Sequence, residues 1–552
     1  MSRILRLLLV IGLALGSTSI GSAVLAQNNQ TGDNSSETDQ SGSATSGDAV
    51  GGQVVGVVSA GDSSVDATNR SEDVDIETGD TTGSNAVDNF TGQLSVDTIV
   101  AEVIDDGGEI TGATGANIQD GDNTTDIVQA ADATSGDGVG GQVIGVVTSA
   151  GGSADVVAAN TSEDVDIETG DADADNFLEA FVGQLADNAV ITQTIAGAGV
   201  ISGDTAANLQ TGDNELSSDQ SATAASGDGV GGQVLGIVSA GDASVDATNS
   251  STDVDIDTGD ADADNDVFDA FVGQLSEGSS VIDQDPGDGE ISGDTAHNLQ
   301  DGDNSADLVQ AADATSGDGV GGQVIGVVTS AGGSADVVAA NTSEDVDIDT
   351  GDADADNDIV PFVGQLADNA VIVQVVAGEG VISGDTAANL QTGDNELDAD
   401  QAATATTGDG VGGQVLGIVS AGEASVDATN SSTDVDIDTG DADADNFLDT
   451  FVGQLSEAAV IEQLIEGDAE ITGDTAANIM DGDITSDVAQ SANAVSGDAV
   501  AGQVAGVVTS AGGSADLVLA NTSEDVDAES GESDFDNDSS EFVGQQIVGP
   551  DV

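Results

Sequence analysis

The segment Asn208-Leu209-Gln210-Thr211-Gly212-Asp213 recurs, with small changes, from Asn28, Asn117, Asn208, Asn298, Asn389 and Asn478, at intervals of 89 to 91 residues. A chain built this way cannot enlarge one core; each unit has to bury its apolar face against the next copy. The copies occupy residues 27–116, 117–207, 208–297, 298–388, 389–477 and 478–552, and the sixth stops short of the final segment carried by the others. Odd copies read Ser239-Ala240-Gly241-Asp242-Ala243 where even copies read Thr148-Ser149-Ala150-Gly151-Gly152-Ser153-Ala154, so the ancestral unit is a pair.

Within a copy the grain is that of β-structure. Gly212, Gly227, Gly241, Gly259, Gly273 and Gly293 mark turns. Between them Asp253-Val254-Asp255-Ile256-Asp257-Thr258 alternates strictly, which puts Val254, Ile256 and Thr258 on one face and the carboxylates on the other. Ser/Thr-Gly-Asp is the bend, since Gly accepts positive φ and Asp bonds to local backbone. The segment Gln233-Val234-Leu235-Gly236-Ile237-Val238 is uncharged and β-branched, the composition of a strand buried on both faces or of a steric zipper.

These signals predict an all-β, elongated tandem-repeat β-solenoid, with in-register Gln40, Gln53 and Gln93 and their counterparts forming amide ladders. Two other readings of the same residues are a string of six small β-sandwich modules, which the repeat length and the stretch Phe177-Leu178-Glu179-Ala180-Phe181 would suit, and a chain largely disordered without cations. The large-side-chain content of one copy is too thin to order it alone, so stacking or ion cross-linking has to supply the rest.

Export is read at the N-terminus. Arg3 and Arg6, the apolar stretch from Leu7 to Leu15 and the small residues up to Ala26 make residues 1–26 a signal peptide, and no later apolar run reaches spanning length. The expected localisation is secreted or cell-surface, in a prokaryote, with no membrane span after signal removal. Beyond the leader, 105 acidic residues face a single base, Arg70. That charge repels nucleic acid and anionic membranes and selects divalent cations, salt or cationic surfaces as partners, with self-association or contact with other surface components beside them. It also suits a halophilic setting, where screening is strong. Cys is absent, which removes disulfides and thiolate chemistry.

The acidic runs at 164–176, 253–265, 345–357 and 434–446 concentrate hard oxygen donors, and calcium takes six to eight of these. The candidate metal ligands are Asp171, Asp173 and Asp175; Asp260, Asp262 and Asp264; Asp352, Asp354 and Asp356; and Asp441, Asp443 and Asp445. The glycine is misplaced for an EF-hand and the runs are not tandem GGxGxD nonapeptides. The first copy has Thr82 and Ser84 in place of the second acidic half, so any sites are expected to be best formed in the four central copies. Crowding of like charges should raise the pKa of these Asp side chains.

Asn69, Asn160, Asn249, Asn341, Asn430 and Asn521 each open an Asn-X-Ser sequon, read either as a glycan acceptor or as an interior Asn row. His297 stands where other copies have Ala, and Arg70 where they have Thr or Ser; neither marks a catalytic constellation. The expected function is non-enzymatic: a structural or adhesive component of the cell surface or extracellular matrix, stiffened by calcium or high salt. The alternatives are a soluble cation-binding matrix polymer and an amyloid-type fibril subunit.

Overall fold

The computed structural model describes residues 27–548 except 60, 106–107, 112–114, 149–152, 203–204, 293–294, 330–332, 377, 384–385, 421, 473–474 and 510–512; the expected signal peptide lies outside the described residues. The fold is an all-β parallel solenoid. Seven parallel sheets run through it, and within each a strand pairs with its equivalent in the next copy, as Asn28 with Asn117, Asn117 with Asn208 and Asn208 with Asn298.

In the third coil the strands Thr205–Thr211, Asn214–Ala225, Gly229–Val230 and Gln233–Ser239 form one layer, and Ala243–Asp257 and Ala261–Asp285 return along the other. Leu235, Ile237, Val245 and Ala247 fill one end of the coil and Val254 with Ile256 the next stretch. Ala222, Ala224, Ala261 and Ala263 form an all-alanine middle, with Leu216, Val267 and Val272 beyond it. The expected alternation holds: Val254, Ile256 and Thr258 are buried while Asp255 and Asp257 face out.

The stack is shallow. Successive Phe rings of the column Phe90, Phe181, Phe271, Phe362, Phe451 and Phe542 lie 4.7 to 5.1 Å apart and nearly parallel. At ~4.8 Å per coil, six coils span about 29 Å, whereas the layer from Ala243 to Asp285 extends on the order of 130 Å at ~3.3 Å per residue. The molecule is therefore elongated along its strands, and the stacking axis is its short dimension.

One strand departs from expectation. Gln233, Leu235, Ile237 and Ser239 point inward, but Val234 is only half-buried and Val238 is 46% exposed. The segment buries one face, not both, because the coil has only two layers and nothing covers its outer side among the described residues.

Polar residues occupy the interior as stacked rows. Asn176 Nδ2 donates to Asn265 Oδ1 and Asn265 Nδ2 to Asn357 Oδ1, each at 2.9 Å. Gln310 Nε2 donates to Gln220 Oε1 at 2.9 Å, and Gln401 to Gln310 at 3.0 Å. An amide is donor and acceptor at once, so a row of identical amides satisfies itself. The Gln53 and Gln93 rows behave differently: Gln233 Nε2 donates to the Ser250 carbonyl and Gln323 Nε2 to the Thr342 carbonyl, and Gln184 and Gln274 donate to the Gly121 and Gly212 carbonyls, all within the same coil.

Candidate functional site: stacked acidic rows

The Ser/Thr-Gly-Asp bend is a corner at which coils interlock. Thr169 Oγ1 accepts from the Gly259 N–H at 3.1 Å, and an Asp171 carboxylate oxygen accepts from the Asp260 N–H at 3.0 Å. The same bond joins Asp260 to Asp352 at 2.9 Å, Asp352 to Asp441 at 2.7 Å, and Asp441 to the Glu532 N–H at 2.7 Å. A Cβ on Gly259 would lie 2.4 Å from the Gly170 carbonyl oxygen, so only glycine lets the corners approach. Four of the candidate ligands, Asp171, Asp260, Asp352 and Asp441, thus have one carboxylate oxygen engaged in holding the corner.

The other eight form two open columns on the outer face of the long strand. Asp173, Asp262, Asp354 and Asp443 share one register position, and Asp175, Asp264, Asp356 and Asp445 the next outward one, with Ala263 and Asn265 directed into the core between them. Asp534 and Asp536 continue the columns in the sixth coil, while Thr82 and Ser84 end them in the first. The columns juxtapose carboxylates of different coils that are about ninety positions apart in sequence.

Crowding changes their ionisation. Asp264 is pushed up to about 8, first by partial burial and then by Asp262, Asp356 and Asp175. Asp356 rises to about 7, and Asp175 and Asp354 to about 6, again led by burial with neighbouring carboxylates adding to it. The direction agrees with the expectation from like charge, but loss of hydration is the larger cause. Asp257, in the adjoining strand, rises to about 6 for the same reasons.

A second acidic feature went unrecognised in the sequence. Asp73, Asp164, Asp253, Asp345, Asp434 and Asp525 all sit in the left-handed region, with φ between 47° and 57°. Each follows an outward residue and precedes an inward Val, so it resets the alternation as a bulge does. Asp164, Asp253, Asp345, Asp434 and Asp525 line an open furrow of about 620 Å³ together with Asp166, Asp255 and Asp347. The signal was two consecutive polar residues, Glu163-Asp164 or Thr252-Asp253, interrupting a period-two pattern. Glu102 was also missed: it is 1% exposed and occupies the row of Gln193, Gln284 and Gln374, where Gln193 Nε2 donates to it at 2.7 Å. Burial raises its pKa.

Five of the sequon asparagines, Asn69, Asn160, Asn249, Asn341 and Asn430, are buried, and Asn521 on the terminal coil is exposed. Asn160 Nδ2 donates to Asn249 Oδ1 at 2.9 Å and Asn249 to Asn341 at 3.0 Å, with all three buried. In the folded chain these are ladder residues, inaccessible to a glycosyltransferase. His297 is in the row of Ala207 and Ala388, and Arg70 pairs with Glu163 at 2.8 Å and Glu72 at 3.1 Å.

Among the described residues no group of three or more His, Cys, Asp or Glu side chains is arranged as a closed metal cage. The donors form open columns instead. No family model, curated protein or solved structure matches the chain. The class is defined by the architecture itself: a wide, shallow parallel β-solenoid with amide rows inside and carboxylate rows outside.

Proposed function

We propose that the chain is an exported structural or adhesive element of a cell surface or extracellular matrix, whose acidic face takes up divalent cations, calcium foremost. The observation that carries this reading is the registration of Asp173, Asp262, Asp354 and Asp443, and of Asp175, Asp264, Asp356 and Asp445, into continuous outward columns. The coil spacing of ~4.8 Å is twice the calcium–oxygen distance of about 2.4 Å and exceeds twice the magnesium distance of about 2.0 Å, which favours calcium as a bridge between rungs. Only ionised carboxylates are ligands, so uptake would release the protons that crowding retains. The acid-rich flank and a lysine-free surface suit a saline exterior, and nothing in the side-chain chemistry calls for a substrate.

Two measurements test the reading. Thermal melts at equal ionic strength are expected to rank calcium above magnesium above chelator; identical melts would remove the cation role. Immunogold labelling of the producing cells is expected to decorate the outer surface, and label confined to the cytoplasm would overturn the export and surface assignment.

A further inference from the structure

Both ends of the stack present unpartnered strand edges. Along the sixth coil the strands Ala515–Val526 and Ser533–Val548 have a neighbour on one side only, and Ser63–Glu77 and Thr81–Val96 are the corresponding edges of the first coil. Long exposed strand edges are templates for further pairing, and the left-handed Asp73 and Asp525 that interrupt these two edges fall at matching positions. Among the described residues no helix or loop covers either end.

The two ends are complementary in hydrogen bonding. In the Asn rows each Nδ2 donates to the next coil, as Asn430 does to Asn521 and Asn446 to Asn537, which leaves Asn521 and Asn537 at the end of the row with their Nδ2 directed onward. At the other end Asn69 and Asn85 donate onward to Asn160 and Asn176 and present Oδ1 backward. The corner bonds run with the opposite polarity, Thr439 Oγ1 accepting from the Gly531 N–H and Thr78 Oγ1 from the Gly170 N–H, so at the corners each coil presents acceptors to its successor and the first coil presents the matching N–H donors backward. The Phe column ends on Phe542 and Phe90, which are 42% and 41% exposed and in the register that continues the stack.

Charge points the same way. Continuing the register would set Asp534 and Asp536 of one copy against Thr82 and Ser84 of the next, the one coil in which those positions carry no carboxylate. Arg70, the only base beyond the leader, lies on the edge strand of the first coil and reaches Glu163 in the coil above. Glu524 occupies the equivalent of Glu163 in the sixth coil, so it would face Arg70 from the coil below. At the end-to-end junction two carboxylate columns are thus interrupted and the one cation is supplied, while the corner rows that end on Glu532 and Asp498 would continue onto Asp80 and Asp48 and Glu524 would stack on Glu72.

We propose that the chain polymerises head-to-tail, the sixth coil of one copy pairing in register with the first coil of the next, to form a filament whose axis is the stacking axis. The contact is heterologous and repeats by a near-translation, so it does not close into a ring. Screening of the remaining acidic repulsion makes assembly salt-dependent. This concerns the ends and not the acidic flank, and stands apart from the cation and localisation readings.

The test is sedimentation and electron microscopy of the exported chain at low salt and at about 1 M NaCl, where the Debye length falls to about 3 Å. The expected result is filaments one molecule wide at high salt, with a strand repeat near 4.8 Å along the filament axis. Two kinds of variant locate the junction. Ala424 and Ala442 donate their N–H groups to the following coil. Leu519 and Phe535 share that phase in the sixth coil, so Leu519→Pro with Phe535→Pro removes outward donors without breaking an internal ladder bond, and should leave monomers of unchanged circular dichroism. Arg70→Glu should raise the salt needed for assembly severalfold, and Glu524→Arg in the same chain should restore it. Monomers at all salt concentrations, lateral sheets, or assembly unaffected by both the proline pair and the charge reversal would overturn the proposal.

Discussion

Asn265 and Asp264 are neighbours on one strand, stacked at the same spacing on copies of the same kind, yet the two rows have opposite character. Asn265 turns inward and joins an amide row in which each side chain donates to the next and accepts from the last. Asp264 turns outward, where partial burial first and then the carboxylates of Asp262, Asp356 and Asp175 push its pKa up to about 8. Parallel in-register stacking multiplies whatever a position carries: a side chain with both a donor and an acceptor is reinforced by its copies, and one with a net charge is opposed by them. Inside the coil the first kind prevails, with Glu102 the exception; outside, water and salt tolerate the second.

The sharpest way to break this contrast is to exchange the two chemistries. Asn265→Asp, placing an unpaired carboxylate in the interior row, is expected to destabilise the chain by on the order of 3–5 kcal/mol in urea unfolding at neutral pH, the scale of an uncompensated buried charge. The loss should shrink in acid as the new group protonates. A loss under about 1 kcal/mol would mean the row is hydrated and the amides are not self-satisfying. The reciprocal change, Asp264→Asn, should stabilise by about 1 kcal/mol at low salt and by less at high salt, as removal of one crowded like-charge position does.

The acidic columns also set a pH dependence opposite to that of a protein held by salt bridges. Asp264, Asp356, Asp175 and Asp354 have folded pKa values raised to about 8, 7, 6 and 6. A raised carboxyl pKa contributes stability that is fully present below the unfolded value near 4, and that is lost as pH rises through the folded values. Metal-free melting temperatures at low salt should therefore fall between about pH 5 and pH 8, and the fall should flatten in Asp264→Asn with Asp356→Asn. A melting temperature constant across that window would show that the columns are fully hydrated.

The smallest expected effect sharpens the amide side of the comparison. Glu102 is the one carboxylate in the Gln193 row, with one oxygen taking the Gln193 amide and the other buried without a partner. Glu102→Gln should complete the row and add about 1 kcal/mol at neutral pH. Because burial raises the Glu102 pKa, the gain should fade in acid, where the carboxyl is protonated and neutral. An equal gain at all pH values would point to packing instead of charge.

Much of this was legible without coordinates, and the division has a physical reason. Repeat length, the period-two alternation around Val254 and Ile256, the glycine corners and the recurrence of Gln40 and Asn69 are all local patterns, and they pointed to an all-β repeat and to the outward acids, whereas a stack in register and six separate sandwich modules fitted them alike until the inter-copy pairing was seen. The interior role of the Asn69 sequon row was one of two readings open until the ladder was seen, because a sequon and a ladder position look alike in one dimension. The one-sided burial of Val234 and Leu235 depended on how many layers the coil has, which no strand records about itself. The left-handed Asp164 column, the buried Glu102 and the raised pKa of Asp264 came from which side chains of different coils share a rung and how much water is left between them. Alternation is a property of the chain, whereas burial and electrostatic crowding are properties of its neighbours in space; the first was decided by the sequence alone and the second only when ninety-residue-distant copies were brought to one strand spacing.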